Sequence, residues 1–110
     1  MPVYNKLVRD RIPEIIEKVG KRFTTRVLDT EEYKIELQKK MKEEFSEYIE
    51  SDSDQNAIEE LADLLEVIYA LAEVHGSSLE ELQAVQKDKA EKRGAFQERY
   101  FLIEVEDEQN

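Results

Sequence analysis

At 110 residues the chain is long enough for one small domain, residues 1–110, with a single modest core. Its 27 acidic and 16 basic residues give a formal charge of −11, which leaves no basic surplus to displace counterions from phosphates and excludes a general binder of nucleic-acid polymers. The absence of cysteine removes disulfides and cysteine-based zinc or redox chemistry, and the apolar runs fall far short of a membrane span.

With three glycines, two prolines and 39% charged residues, the composition favours long solvated helices completed by a partner chain. Residues 1–10 are polar and charged, unlike a secretion signal, so a cytoplasmic protein is expected. The first predicted helix is RIPEIIEKVG, with Asp10 as its cap, Pro13 tolerated in its first turn and Gly20 as its stop. RFTTRVL, residues 22–28, is rich in aromatic and β-branched residues and alternates briefly, which predicts a strand. Asp29 or Thr30 then caps a long helix running to about Glu50, with Glu31 and Glu32 in the first turn where the helix dipole favours acids. SDSDQN is a connector of a length suited to an antiparallel helix pair. Asn56 with Glu59 can form a capping box for the next helix, whose start can also fall slightly earlier, and Gly76 ends it. Ser78 with Glu81 makes another, opening a helix through about Arg93 with Gly94 as terminator. AFQERYFLIEV, residues 95–105, carries a second strand signal and is expected to pair with the first. The predicted fold is mainly α, a helical bundle with a small two-stranded accessory β-sheet.

Two helices carry acids where apolar side chains are expected. At roughly 100° per residue, Val67, Leu71, Leu64 and Val74 all lie within about 40° of Glu60, and Asp63 lies about 60° to one side. In the preceding helix Tyr33, Leu37, Lys40 and Tyr48 lie within about 40° of Glu44, and Glu47 about 60° away. Each helix therefore presents a carboxylate pair at i and i+3, able to converge on one object. Buried without partners, such groups cost several kcal/mol each or take up protons. Two compensations are open. A hard divalent cation such as Mg²⁺ takes oxygen ligands and keeps sites for substrate phosphates. Alternatively, the acids pair with Lys40, Lys42 or the arginines of another chain. A ferritin-like di-iron site is disfavoured, because no Glu-x-x-His motif exists and the lone His75 sits at a helix end, suited to the dipole there.

The constellation EEFSE (residues 43–47), twelve residues, then EELAD (residues 59–63) resembles the Glu-x-x-Glu … Glu-x-x-Asp signature of the MazG-like, all-α nucleoside triphosphate pyrophosphohydrolases. YNKLVRDRIPEII (residues 4–16) is similar to the N-terminus of their phosphoribosyl-ATP pyrophosphohydrolase-like subgroup. KRGAF (residues 92–96) resembles that subgroup's Lys-Arg-Gly-Gly-Phe block, with Ala95 in place of a glycine. The resemblance implies Mg²⁺-dependent cleavage of a nucleotide to monophosphate and pyrophosphate, with Mn²⁺ as an alternative metal, often to remove unwanted nucleotides. It implies Glu44, Glu47, Glu60 and Asp63 as metal ligands and catalytic residues. It also implies a homodimer or homotetramer whose site is completed at a subunit interface.

Attack of water on phosphorus needs the polyphosphate's charge neutralised and the water oriented. Glu47 or Glu43 can accept the water's proton. Lys6, Arg9 and Arg11 near the start of the chain, with Lys92 and Arg93 late in it, are the candidate phosphate-binding cations; alternatively Arg9 or Arg11 pairs with surplus surface acids, and Lys92 and Arg93 complement a helix C-terminus. Tyr33, Tyr48 and Phe45 are suited to stack on a base, although aromatic residues at helical spacing more often fill a core. Two rival readings are an inactive nucleotide- or metal-binding relative and an acidic interaction protein such as a DNA mimic. A mimic would spread its acids over exposed surface, with no reason to set Glu60 in an apolar arc.

Overall fold

Four helices carry all the regular secondary structure that the computed structural model gives to residues 2–107, the part of the chain it describes. In chain order they are α1 (Ile12–Lys18), α2 (Thr30–Ile49), α3 (Asp54–Val74) and α4 (Leu79–Arg93).

Local chemistry accounts for most of their ends. Asp29 caps α2, its Oδ1 accepting from the Glu32 N–H at 2.9 Å, and Glu31 and Glu32 follow in the first turn. Ser78 caps α4 by accepting from the Glu81 N–H at 3.1 Å. The α3 cap is Ser53, not Asn56: Ser53 Oγ accepts from the Asn56 N–H at 3.1 Å, so the helix starts at Asp54. Asn56 turns its side-chain amide back to Asp52 Oδ1 at 2.6 Å. In α1 the capping position falls to Arg11, with no side-chain bond, and not to Asp10. Gly76 closes α3 at a φ of 77°; its N–H donates to the Glu73 carbonyl and that of Ser77 to the Ala72 carbonyl, the double bond pattern that a left-handed residue allows.

The expected accessory sheet is absent: no strand exists among the described residues. Residues 95–105 do not form one extended run, because a turn at residues 97–98 is followed by Arg99 in the left-handed region at a φ of 60°. Beyond it Tyr100, Phe101 and Ile103 stand out in solvent. In residues 22–28, Val27 is almost wholly exposed, and Arg26 is engaged with Glu32 in the first turn of α2 through both terminal guanidinium nitrogens. That contact raises the Arg26 pKa and lowers that of Glu32, the shared hydrogen bond being the main cause in each. β-propensity describes how well a side chain fits a half-buried pleated surface, and a lone strand pair is marginal in water. No helix face covers either segment, so the alternation has nothing to pack against.

α2 and α3 form the central pair, α4 packs on α3, and α1 packs on none of the other helices. The buried apolar residues are Leu37 on α2 and Val67 on α3, one from each side of that pair. Phe45 and Ile49 on α2, and Ile58, Leu61 and Leu65 on α3, remain exposed. The molecule measures 70 × 35 × 24 Å, with a radius of gyration of 19.4 Å. A compact chain of this length would have a radius near 13 Å. Its accessible surface is 10591 Å², where a compact monomer of this mass would expose about 6,300 Å². No described helix is long and apolar enough to cross a membrane.

Candidate metal centre

Glu44 projects from the C-terminal half of α2, two turns beyond Leu37 and one beyond Lys40, and only 6% of the residue is exposed. Glu47, one turn further on, is exposed, and Glu60 on α3 is half-buried. Because α2 packs along α3, these three side chains meet: a carboxylate oxygen from each lies within 4.8 Å of one from each of the others. Glu44 Oε2 and Glu60 Oε2 are shut off from solvent and have no hydrogen-bond partner. Each is an acceptor left without a donor, which a folded interior rarely tolerates.

The electrostatics follow from that crowding. Burial, followed by a hydrogen bond and repulsion from Glu47, pushes the Glu44 carboxyl up from 4.5 to about 7, with Asp63 adding to the rise and Lys40 opposing it. Glu60 is also raised, chiefly by its hydrogen bond with Glu47, then by burial and by Glu47's charge. Its bond with Glu44 works the other way, and Asp63 raises it further. Like charges that share a site hold protons between them unless a cation arrives to replace those protons.

Lysine pairing is realised only at the edge. Lys40 Nζ stands 3.9 Å from Glu44 Oε1 and 3.8 Å from Glu43 Oε2, too far for a hydrogen bond, and the buried Glu44 oxygen is untouched. Lys42 makes no ion pair among the described residues and instead lines an apolar hollow with Met41, Phe45, Leu64 and Ile68. The donor set, three carboxylates with two oxygens lacking partners, fits a hard divalent cation.

Asp63 stands apart from the trio. Its Oδ1 accepts from Arg9 Nη2 at 2.6 Å, a pairing across 54 residues. No periodicity could reveal which acid Arg9 meets; pairing with an acid of its own chain is the alternative realised. The other candidate cations make no ion pair with the four acids. Lys6 lies 5.8 Å above the ring of Tyr4, Lys92 pairs with Asp88 at 3.0 Å, Arg11 precedes α1, and Arg93 ends α4. Of the aromatic candidates, Tyr33 and Tyr48 are half-buried and Phe45 is exposed. A hollow of about 420 Å³ at the α2–α3 turn, bordered by Tyr48, Ser51, Asp52 and Asp54, contains none of the four acids.

A family model described as phosphoribosyl-ATP pyrophosphohydrolase matches residues 3–89, a span that holds Arg9 and all four acids but ends before KRGAF. No curated protein and no solved structure matches the chain significantly.

Proposed function

The chain belongs to the phosphoribosyl-ATP pyrophosphohydrolase family, within the MazG-like all-α superfamily, and from that premise we propose that it hydrolyses a nucleoside triphosphate or phosphoribosyl-ATP to the monophosphate and pyrophosphate. The observation that carries the reading is the trio Glu44, Glu47 and Glu60, with two carboxylate oxygens buried and without partners. These residues would hold Mg²⁺, or Mn²⁺ in its place, with Asp63 as a fourth ligand once released from Arg9. When bound, such a cation would supply charge neutralisation at the phosphate oxygens and orientation of the attacking water.

The protein groups divide the remaining tasks. Glu47 is exposed and belongs to the trio, which suits it to accept the water's proton; Glu43 is drawn toward Lys40. Water adds at phosphorus as the bond between the α- and β-phosphates breaks, and pyrophosphate leaves. Arg9, with Lys6 and Arg11 on the same segment and Lys92 and Arg93 at the end of α4, takes up the negative charge of the polyphosphate. The surplus surface and the exposed apolar residues of α2 and α3 support a homodimer or homotetramer, in which a second copy completes the pocket that one chain leaves open. A house-cleaning role in the cytoplasmic nucleotide pool is in keeping with this chemistry.

The test is a panel of triphosphates and phosphoribosyl-ATP, each incubated with Mg²⁺ and resolved by phosphorus NMR. Paired monophosphate and pyrophosphate signals are expected for at least one substrate. Release of single phosphate would assign the reaction to another class.

A further inference from the structure

Among the described residues, the Arg9–Asp63 contact is the one hydrogen bond or ion pair that joins residues 2–20 to the central helices. Helix α1 has no packing partner to hold the segment down, and none of its residues is buried. The pair itself is open to water, with the Arg9 side chain 56% and that of Asp63 40% exposed, and exposed ion pairs hold weakly. Asp63 is nevertheless close enough to raise the proton affinity of both Glu44 and Glu60, so a cation among those acids also acts on whatever Asp63 holds.

We propose that Arg9 is a latch on the metal centre. In the metal-free protein it occupies Asp63 and docks the N-terminal segment; a divalent cation at Glu44, Glu47 and Glu60 draws Asp63 in and expels Arg9. The inference rests on the metal-centre reading above. Its physical basis is competition. A guanidinium and a divalent ion repel each other, and both need the same carboxylate. Once freed, Arg9 carries a planar donor fork suited to phosphate oxygens, and Lys6 and Arg11 travel on the same segment. The latch thereby orders the events: metal first, then closure of the basic segment over a polyphosphate. It differs from a plain phosphate-binding role in the sign of its effect on metal affinity.

The experiment titrates the full chain with Mn²⁺ alone, without nucleotide, by calorimetry. The proteins are wild type, Arg9→Gln, Arg9→Lys and Arg11→Gln, and amide hydrogen exchange of residues 12–19 is followed in parallel. Arg9→Gln is expected to bind Mn²⁺ about three- to tenfold more tightly than wild type, reflecting loss of a weak competing pair. Arg11→Gln, which removes the same charge without the Asp63 contact, should change affinity less, and Arg9→Lys should return it toward wild type. Mn²⁺ should accelerate exchange of the hydrogen-bonded amides of residues 12–19 in wild type, as the undocked short helix frays, and leave it fast and unaltered in Arg9→Gln. Equal or weaker Mn²⁺ binding by Arg9→Gln, an equal gain in Arg11→Gln, or wild-type exchange insensitive to Mn²⁺ would overturn the latch while the metal centre stands. Failure of the wild type to bind Mn²⁺ would remove both.

Discussion

Replacing Glu44 with glutamine should make the metal-free protein more stable at alkaline pH. Glu44 is 6% exposed, one of its oxygens has no partner, and its carboxyl is pushed up to about 7. In the unfolded chain the same group titrates near 4.5. Between those values the folded protein holds a proton that the unfolded chain has released. Its contribution to stability is therefore complete below about pH 4.5 and is lost as pH rises through about 7. At about 1.4 kcal/mol per tenfold change in proton affinity, the rise corresponds to about 3 kcal/mol when fully expressed. Part of it belongs jointly to Glu47, so the expected gain for Glu44→Gln at pH 8 is about 1–3 kcal/mol. Glutamine keeps the shape and can still donate to Glu47 through its amide. The assay is denaturation with chelator present, at fixed protein concentration, at pH 5 and pH 8. Near pH 8 the variant should melt about 4–12 °C higher, and near pH 5, where Glu44 holds its proton, the gap should shrink to little. Mg²⁺ should then stabilise wild type and not the variant. Equal or lower stability of Glu44→Gln at pH 8, or the same gap at both pH values, would refute the reasoning.

Three further outcomes follow from the same account. Glu60→Gln should fold as wild type by circular dichroism yet lose Mg²⁺-dependent pyrophosphate release at least a hundredfold, about 3 kcal/mol of transition-state stabilisation; full activity would remove Glu60 from the site. Leu37→Ala should cost about 2–4 kcal/mol in urea denaturation, since Leu37 is one of the few buried apolar side chains between α2 and α3. Light scattering at micromolar concentration should report a dimer or tetramer, and a strictly monomeric profile would contradict completion of the site by a second copy.

The helices were legible because their signals are local. Asp29 and Ser78 cap where a side-chain oxygen meets the N–H three residues on, and Gly76 ends α3 where a left-handed residue is needed. Ser53 takes the cap instead of Asn56: its Oγ accepts from the Asn56 N–H, which places Asn56 inside the first turn with its amide donating to Asp52. The placement of Glu44 within an apolar arc was also readable, since helical period alone puts it beside Leu37, and it is buried. The strand signals misled because alternation describes a surface, and residues 22–28 and 95–105 meet none. Asp63 shows the limit most clearly. Its spacing from Glu60 matches that of a converging ligand, but its neighbour Arg9 comes from 54 residues away, where no pattern along the chain could place it.

The most direct measurement is anomalous diffraction at the manganese edge from crystals of the protein soaked in Mn²⁺. The account predicts a peak enclosed by the carboxylates of Glu44, Glu47 and Glu60, with Asp63 turned from Arg9 toward it. Side chains that diverge around empty density, with manganese bound elsewhere or nowhere, would contradict it.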